Sequence, residues 1–523
     1  MRKVMHKTEA AQMIKNGDEV VFNGFGSMGF PEELCEAVGT RFLETGQPRD
    51  LKYFFGTGQG VWDESRMIEH MSHEGMVKRV ISSHFTPMIK INRQAALNQI
   101  EAYNMPLGII SHLFRAASGR KPGIITKIGL KTCVDPRNGG GALNASSKEK
   151  LVQVMEIDGE EYLFYKAPKP TVAMLRGTTA DINGNITMEK EAIYVDPFAT
   201  AMAVKANGGK VIVQVERLSS EMADLRKVKI PGIIVDAIVV ESEQYQSMIE
   251  KYNPAYTGEI RLLDEDACHV LEKVKALNIA AGRKRHRNML HSIIAKRASM
   301  ELKDGVVVNL GIGIPELVPE ASKKMNAPDN IKLTVESGVI GGYPSNGLSF
   351  GAAVNGEVLH DEAYQFDFYD GGGLDITFVG AMQVDKIGNV NVSRTGNKII
   401  GVGGFINLTQ SSKKIVYCFP FAGGGLKGQC RDHKLEIHQE GKYQKFIEHV
   451  EEISASGEFS VEIGQEVLYI TERCVFTLTS EGIMITEIAP GISLEKDIIE
   501  KMPFKPLISD NLKPMDSRCF TCE

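Results

Sequence analysis

The sequence predicts an α/β protein of two related lobes, each an open, mostly parallel sheet with helices on both faces. Three observations carry this. Apolar runs of four to six residues alternate with helical stretches, the pattern of parallel strands covered on both sides. Four pairs of segments match in the same order along the chain. Glycine supplies 52 of the 523 residues and clusters where strands give way to helices, so the backbone must bend, or come close to a ligand, repeatedly.

The matches set the organisation. Asn16-Gly17-Asp18-Glu19-Val20-Val21-Phe22-Asn23-Gly24 to Pro31-Glu32-Glu33 reads as a strand, a glycine turn and a helix. Asp304-Gly305-Val306 to Gly311-Ile312-Gly313-Ile314-Pro315-Glu316 has the same grammar, with Gly24 and Gly311 offset by 287. Leu51–Phe55 parallels 331–335 at an offset of 280. Asp181-Ile182-Asn183-Gly184-Asn185 parallels Asp385-Lys386-Ile387-Gly388-Asn389, and Lys210-Val211-Ile212-Val213 parallels Lys414-Ile415-Val416-Tyr417, both at 204. The fall in offset gives the first lobe about 80 extra residues between its second and third shared segments. The expected division is a first lobe over 1–260, a linker over 261–290 and a second lobe over 291–523. A solvated helix is expected to begin at Ala281-Gly282-Arg283-Lys284-Arg285-His286-Arg287, and the proline-bearing tail from about 495 is expected to wrap over the surface.

Composition narrows the function. Apolar residues make up 43% and charged residues 24%, ordinary for a globular protein. A net charge of −6 leaves no basic footprint for nucleic acid. No apolar run is long enough to span a membrane, and the basic start, Met1 to Lys7, leads into no apolar signal core. Of eight cysteines only Cys519 and Cys522 are closely spaced, which points to a reducing, cytoplasmic setting.

Several motifs invite chemistry. Gly24-Phe25-Gly26-Ser27-Met28-Gly29 satisfies the dinucleotide fingerprint, which also requires an acid ending the next strand. Glu44 and Asp50 precede that strand instead, so a glycine turn shaping an acyl or phosphate pocket is expected rather than a nicotinamide site. His70-Met71-Ser72-His73-Glu74 has the wrong order for a zinc helix and reads as a solvated amphipathic helix. Cys519 and Cys522 lack the second pair that four-ligand zinc needs, so no metal is expected. Glu336 ends the run Ile331-Lys332-Leu333-Thr334-Val335 and precedes Ser337-Gly338-Val339-Ile340-Gly341-Gly342, small residues that admit a large ligand. The equivalent position of the first lobe is Gly56, so only one copy keeps a carboxylate. The residues alone leave open whether Glu336 caps and pairs or reacts. Downstream, Gly371-Gly372-Gly373 and Gly401-Val402-Gly403-Gly404 can aim backbone N–H groups at a developing oxyanion. The third cluster, Gly423-Gly424-Gly425, reads as a plain turn.

At these residues the chain resembles the family I coenzyme A transferases, most closely the single-chain propionate/acetate CoA-transferase type. The first family signature is met by Asn16-Gly17, Val20 to Phe22, Gly24-Phe25 and Gly29-Phe30-Pro31, with Asn23 replacing one glycine. The second, around the catalytic glutamate, is Val335-Glu336-Ser337-Gly338. Supporting stretches are Gly123–Gly129, Val134–Gly141, Gln365-Phe366-Asp367-Phe368-Tyr369 and Tyr469–Phe476. The resemblance implies the duplicated CoA-transferase fold and a ping-pong exchange of CoA between an acyl-CoA and a monocarboxylate. The acid remains open: acetate, propionate, butyrate, lactate or a bulkier arylacrylate. It implies Glu336 as nucleophile through an acyl anhydride and a glutamyl-CoA thioester, with no permanently bound cofactor and CoA as co-substrate. Gly404 would donate to the oxyanion, with Gly338 and Gly403 beside CoA. The acyl group would lie against Gly24, Phe25, Gly26, Thr57, Gly58, Gln59, Gly60 and Leu107. Leu107 departs from the family pattern, because many members carry there a glutamine whose amide is the other oxyanion donor. The resemblance further implies a homo-oligomer, commonly a tetramer. The competing readings are a thioesterase using the same glutamate with water, an NAD-dependent dehydrogenase, and a non-enzymatic small-ligand sensor.

Overall fold

The computed structural model describes residues 3–283, 287–328 and 330–521. The first lobe contains β1 (Glu19–Phe22), α1 (Glu32–Thr45), β2 (Leu51–Phe54), β3 (Val77–Ser82), β4 (Glu101–Asn104) and α2 (Leu107–Ser118). It continues with β5 (Val172–Arg176), α3 (Pro197–Ala206), β6 (Lys210–Val215) and β7 (Ala237–Val240). These strands form one sheet in the order β7-β6-β5-β1-β2-β3-β4, parallel throughout. Successive β1 side chains point to opposite faces. Val20 and Phe22 join α1 through Leu34, Val38 and Phe42, while Val21 joins α2 and α3 through Ile110, Phe114 and Val204. Both faces are therefore buried, which accounts for the continuous apolar strands.

After α4 (Asp264–Ala280) and α5 (Met289–Ser299), the second lobe repeats the plan. Its elements are β8 (Val307–Leu310), α6 (Val318–Met325), β9 (Lys332–Val335), β10 (Val339–Ile340), β11 (Val358–Leu359), α7 (Glu362–Asp370) and β12 (Ile376–Val379). Then come α8 (Phe405–Ser411), β13 (Lys414–Cys418), β14 (Glu466–Ile470), β15 (Cys474–Thr479), β16 (Gly482–Ile488) and β17 (Leu507–Pro514). The sheet order is β11-β10-β9-β8-β12-β13-β14-β15-β16-β17. Its run β13-β12-β8-β9 is parallel and repeats β6-β5-β1-β2 of the first lobe, as the matched segments require. The matched aspartate turns are the same object twice. Asp181 accepts from the Asn183 and Asn185 N–H groups and the Asn185 amide. Asp385 accepts from Ile387, Asn389 and the Asn389 amide. The first lobe's extra residues hold β3, β4, α2 and a small antiparallel sheet over 123–166.

Three local expectations are corrected. No helix starts at Ala281: α4 ends there, Gly282 sits at φ +76°, and Arg283 turns back over the Trp62 ring at 4.5 Å. Positive φ at a glycine is the usual way a helix stops; Lys284, Arg285 and His286 lie outside the described residues. His70 belongs to a 3₁₀ turn, Met67–Met71, whose Met67, Ile68, Glu69 and Met71 are buried, because Glu69 is drawn in to accept the Lys90 N–H. The tail does not merely wrap the surface, since β17 extends the sheet beside β16 and Cys519 and Phe520 are buried in the second lobe's core. Cys522 lies outside the described residues.

The lobes meet at the carboxyl ends of their parallel strands. Gly403 N–H donates to Ser83 O at 2.8 Å and Phe85 N–H to Ile400 O at 2.7 Å. Val402 N–H donates to the Asn104 side chain at 2.9 Å. These are the edges at which open α/β sheets gather ligands.

Candidate active site

Glu336 follows β9 directly, so the strand delivers its side chain to the interlobe edge. The carboxylate makes no hydrogen bond or ion pair among the described residues, and burial pushes it up to about 7. It is held close by backbone: a Cβ on Gly404 would lie 2.9 Å from Glu336 Cδ and 3.2 Å from Oε1. Only a residue without a side chain allows that approach. Gly404 caps the N-terminus of α8, and its own N–H donates to no acceptor among the described residues. An unused N–H beside an unpartnered carboxylate is the arrangement that an oxyanion would complete.

The neighbouring glycines are structural in different ways. Gly338 has φ +106°, and a Cβ there would come within 2.0 Å of His360 O. The His360 N–H donates to Gly338 O at 3.1 Å, tying the two chains. Gly338→Ala should therefore lose about 3 kcal/mol of stability through clash and strain, read from the midpoint of urea unfolding. Gly403 joins the lobes from both ends, giving its N–H to Ser83 and accepting the Leu107 N–H at 2.9 Å.

The residues expected at the acyl pocket separate into two groups. Gly26 N–H donates to Thr57 Oγ1 at 2.8 Å and Gln59 Nε2 to Gly24 O at 3.2 Å, so the two first-lobe loops are brought together. Phe25 packs on Phe350 at 5.9 Å and shares a hydrophobic cluster with Leu107, Phe366 and Tyr369. Gly58 and Gly60 serve packing, since added Cβ atoms would meet His84 O at 2.4 Å and Pro87 O at 2.3 Å.

Residues that sequence reasoning missed complete the setting. Asn104 holds the turn by donating to Ser82 and Ser83 carbonyls while accepting from Val402. Glu362, fully buried, accepts from Ser111 Oγ at 2.6 Å. Asp196, also buried, accepts from Ala363 N–H at 3.0 Å and follows Val195, a β-branched residue held at φ +59°. Burial raises both carboxyls, and each raises the other further or is raised by neighbouring acids. Ser111 and Glu362 stand 251 positions apart, so no local spacing could have paired them. His84 is pushed down to about 4 by burial and stays neutral. The described residues contain no group of three or more metal-ligating side chains, and none of their helices is long and apolar enough to cross a membrane.

The coenzyme A transferase family model matches residues 4–241 and 291–418. The chain is 40% identical to caffeate CoA-transferase of Acetobacterium woodii over 534 residues, covering 100% of this chain and 98% of that one. It is 40% identical to the acetate CoA-transferase YdiF of Escherichia coli K12, covering 93% and 89%. The crystal structure of the acyl-CoA transferase YdiF apoenzyme from E. coli O157:H7 superposes with a TM-score of 0.91 at 38% identity, over 99% of this chain and 96% of that one. A YdiF thioester complex with CoA superposes at 0.90, also at 38% identity, over 99% and 96%. The chain belongs to the coenzyme A transferase family, enzymes that transfer CoA between acyl-CoA thioesters and carboxylates.

Proposed function

We propose that the transfer runs through Glu336 by a ping-pong route, in a first lobe over 1–260 and a second over 291–523. The Glu336 carboxylate attacks the acyl-CoA carbonyl, the C–S bond breaks, and an acyl-glutamyl anhydride and CoA thiolate result. The thiolate attacks the glutamyl carbonyl, releasing the first acid and leaving a glutamyl-CoA thioester. The acceptor carboxylate reverses these steps. Carboxylate is a poor nucleophile towards a thioester, so placement and water exclusion must supply the rate. The observation that carries the reading is the Glu336 carboxylate, unpartnered among the described residues, lying against Gly404, whose N–H meets no acceptor among them.

Gly24, Phe25, Gly26, Thr57, Gln59 and Leu107 are read as the acyl side, with Gly338 and Gly403 beside CoA. The relatives named for acetate and caffeate support a monocarboxylate, short-chain or arylacrylate, as the acid. A panel pairing acyl-CoA donors with acetate, propionate, butyrate, lactate and cinnamate settles which. The reading includes a homotetramer acting in the cytoplasm, with light scattering as the check on assembly.

Incubation with acyl-CoA should leave a CoA adduct, reducible by borohydride, on the tryptic peptide holding Glu336. A peptide without adduct would sink the reading. Because burial pushes Glu336 up to about 7 and the carboxylate is the reacting form, kcat/KM should rise about tenfold per pH unit below that value and level off above it. A flat profile from pH 5 to 8 would contradict it.

A further inference from the structure

Each tetrahedral centre formed at Glu336 puts negative charge on one oxygen, which needs hydrogen-bond donors fixed in place beforehand. Gly404 offers one. Two N–H groups of the facing segment are already spent: Leu107 N–H goes to Gly403 O at 2.9 Å and Gly108 N–H to Asn407 Oδ1 at 3.2 Å. The Leu107 side chain has nothing to donate.

Glu362 lies beside the side chain of Leu107, the residue whose N–H is held by Gly403 next to Gly404. A Cβ on Gly56 would lie 2.8 Å from Leu107 Cδ1 and 3.5 Å from Glu362 Oε2, so this carboxyl and the Leu107 side chain lie side by side beyond β2. That is the position at which Glu336 follows β9 in the other lobe. Ser111, one turn along α2 from Leu107, fixes Glu362 Oε2. Among the described residues Glu362 Oε1 has no partner, although the residue is 1% exposed. A buried carboxylate oxygen without a donor is costly, whereas the same oxygen carrying a proton is a donor awaiting an acceptor. Burial favours the protonated form most, and the surrounding charges add to it. Asp196, packed against the same helix end, and Glu336 both repel a charge on Glu362. Asp361 adds to the negative charge around Asp196. Of the cations nearby, Arg115 is paired with Asp367, while Lys229 and His360 act on Asp361. A buried acid kept neutral so that it can donate is an established catalytic device.

We infer that Glu362, as the carboxylic acid, is the second hydrogen-bond donor to the oxyanion formed at Glu336, filling the role that the Leu107 side chain cannot. The inference rests on the covalent reading above and adds a residue to that site. Glu362 keeps its proton throughout. Its O–H strengthens its bond as the carbonyl electron pair moves onto oxygen, and relaxes when the centre collapses.

The test compares Glu362→Gln, which keeps a neutral donor, with Glu362→Met, which keeps volume and loses the donor. Glu362→Gln should hold kcat within about threefold. Glu362→Met should lose about a hundredfold or more in kcat, with KM for acyl-CoA changed less than threefold and the Glu336 adduct formed correspondingly slowly. Wild type should also lose activity at high pH, where Glu362 ionises, and Glu362→Gln should not. Equal loss in both variants, no loss in Glu362→Met, or an unchanged high-pH limb in Glu362→Gln overturns the inference. If Glu362→Met does not fold, the pH profile of Glu362→Gln against wild type decides alone. Wild type forming no adduct on Glu336 would count against the covalent reading, whereas the ratio of the two variants judges Glu362 itself.

Discussion

Glu336→Gln should lose CoA transfer by roughly 10⁴-fold or more, the scale on which removal of a covalent nucleophile acts, and should at the same time stabilise the protein at pH 8. The two effects share a cause. Burial holds the Glu336 acid at about 7, against an ordinary value of 4.5, so the fold favours the neutral form. The stability this confers is present below 4.5 and disappears as pH rises through 7, leaving the ionised carboxylate as a cost above that point. The difference is about 3 kcal/mol at most, and less where water reaches the partly exposed side chain. Glutamine carries no charge to desolvate. Urea titrations should therefore show wild type and variant equal at pH 4 and the variant more stable at pH 8. Equal stability at both values would mean that the carboxylate is well solvated and that its reactivity has another origin.

Gly404→Ala should cut kcat by about a hundredfold, the penalty for displacing a reacting group by about 1 Å. The added methyl would lie 2.9 Å from Glu336 Cδ, inside contact distance, so the glutamate must rotate or α8 must shift. Gly403→Ala provides the contrast. Its Cβ would meet nothing within 4 Å, and the φ of +54° costs only about 1–2 kcal/mol of backbone strain. Single-turnover adduct formation at saturating acyl-CoA, which removes any weakening of CoA binding at Gly403, separates the two effects: slow in the first and close to wild type in the second. Similar rates in both would remove the steric argument for Gly404.

The duplicated plan was legible because it is written in local patterns. Apolar strands, a glycine turn and an aspartate turn recur in order, and each depends on residues within a few positions of one another. Glu336 stood out as a candidate for the same reason, since it ends a strand, is followed by small residues and has a glycine at the matching place in the other lobe, but those residues left open whether it pairs or reacts. Local patterns failed where packing overrode them. His70 to Glu74 looks like a polar helix face, yet Glu69 is drawn inward to Lys90 and the turn is buried with it. The basic run after Ala281 looks like the start of a helix, yet α4 consumes the preceding residues and ends at Gly282. The tail's prolines suggest irregular chain, but Pro514 stands at the end of an edge strand, where a missing N–H is tolerated.

By itself the sequence determined the fold class, the internal repeat, the family and the one glutamate kept in a single copy. The fold class and the repeat follow from short-range spacing of residue types, and the family from the resemblance of the motifs around Gly24 and Glu336. Only the tertiary structure decided what surrounds that glutamate. It set the carboxyl ends of the two sheets against each other, spent the Leu107 N–H on Gly403 O and the Gly108 N–H on the Asn407 side chain, and left the Gly404 N–H without an acceptor among the described residues. It also brought Ser111, Asp196 and Glu362 together from three distant segments. Contacts between groups so far apart in the chain leave no periodic trace, because their geometry is fixed by how two sheets dock rather than by any one element's own propensity.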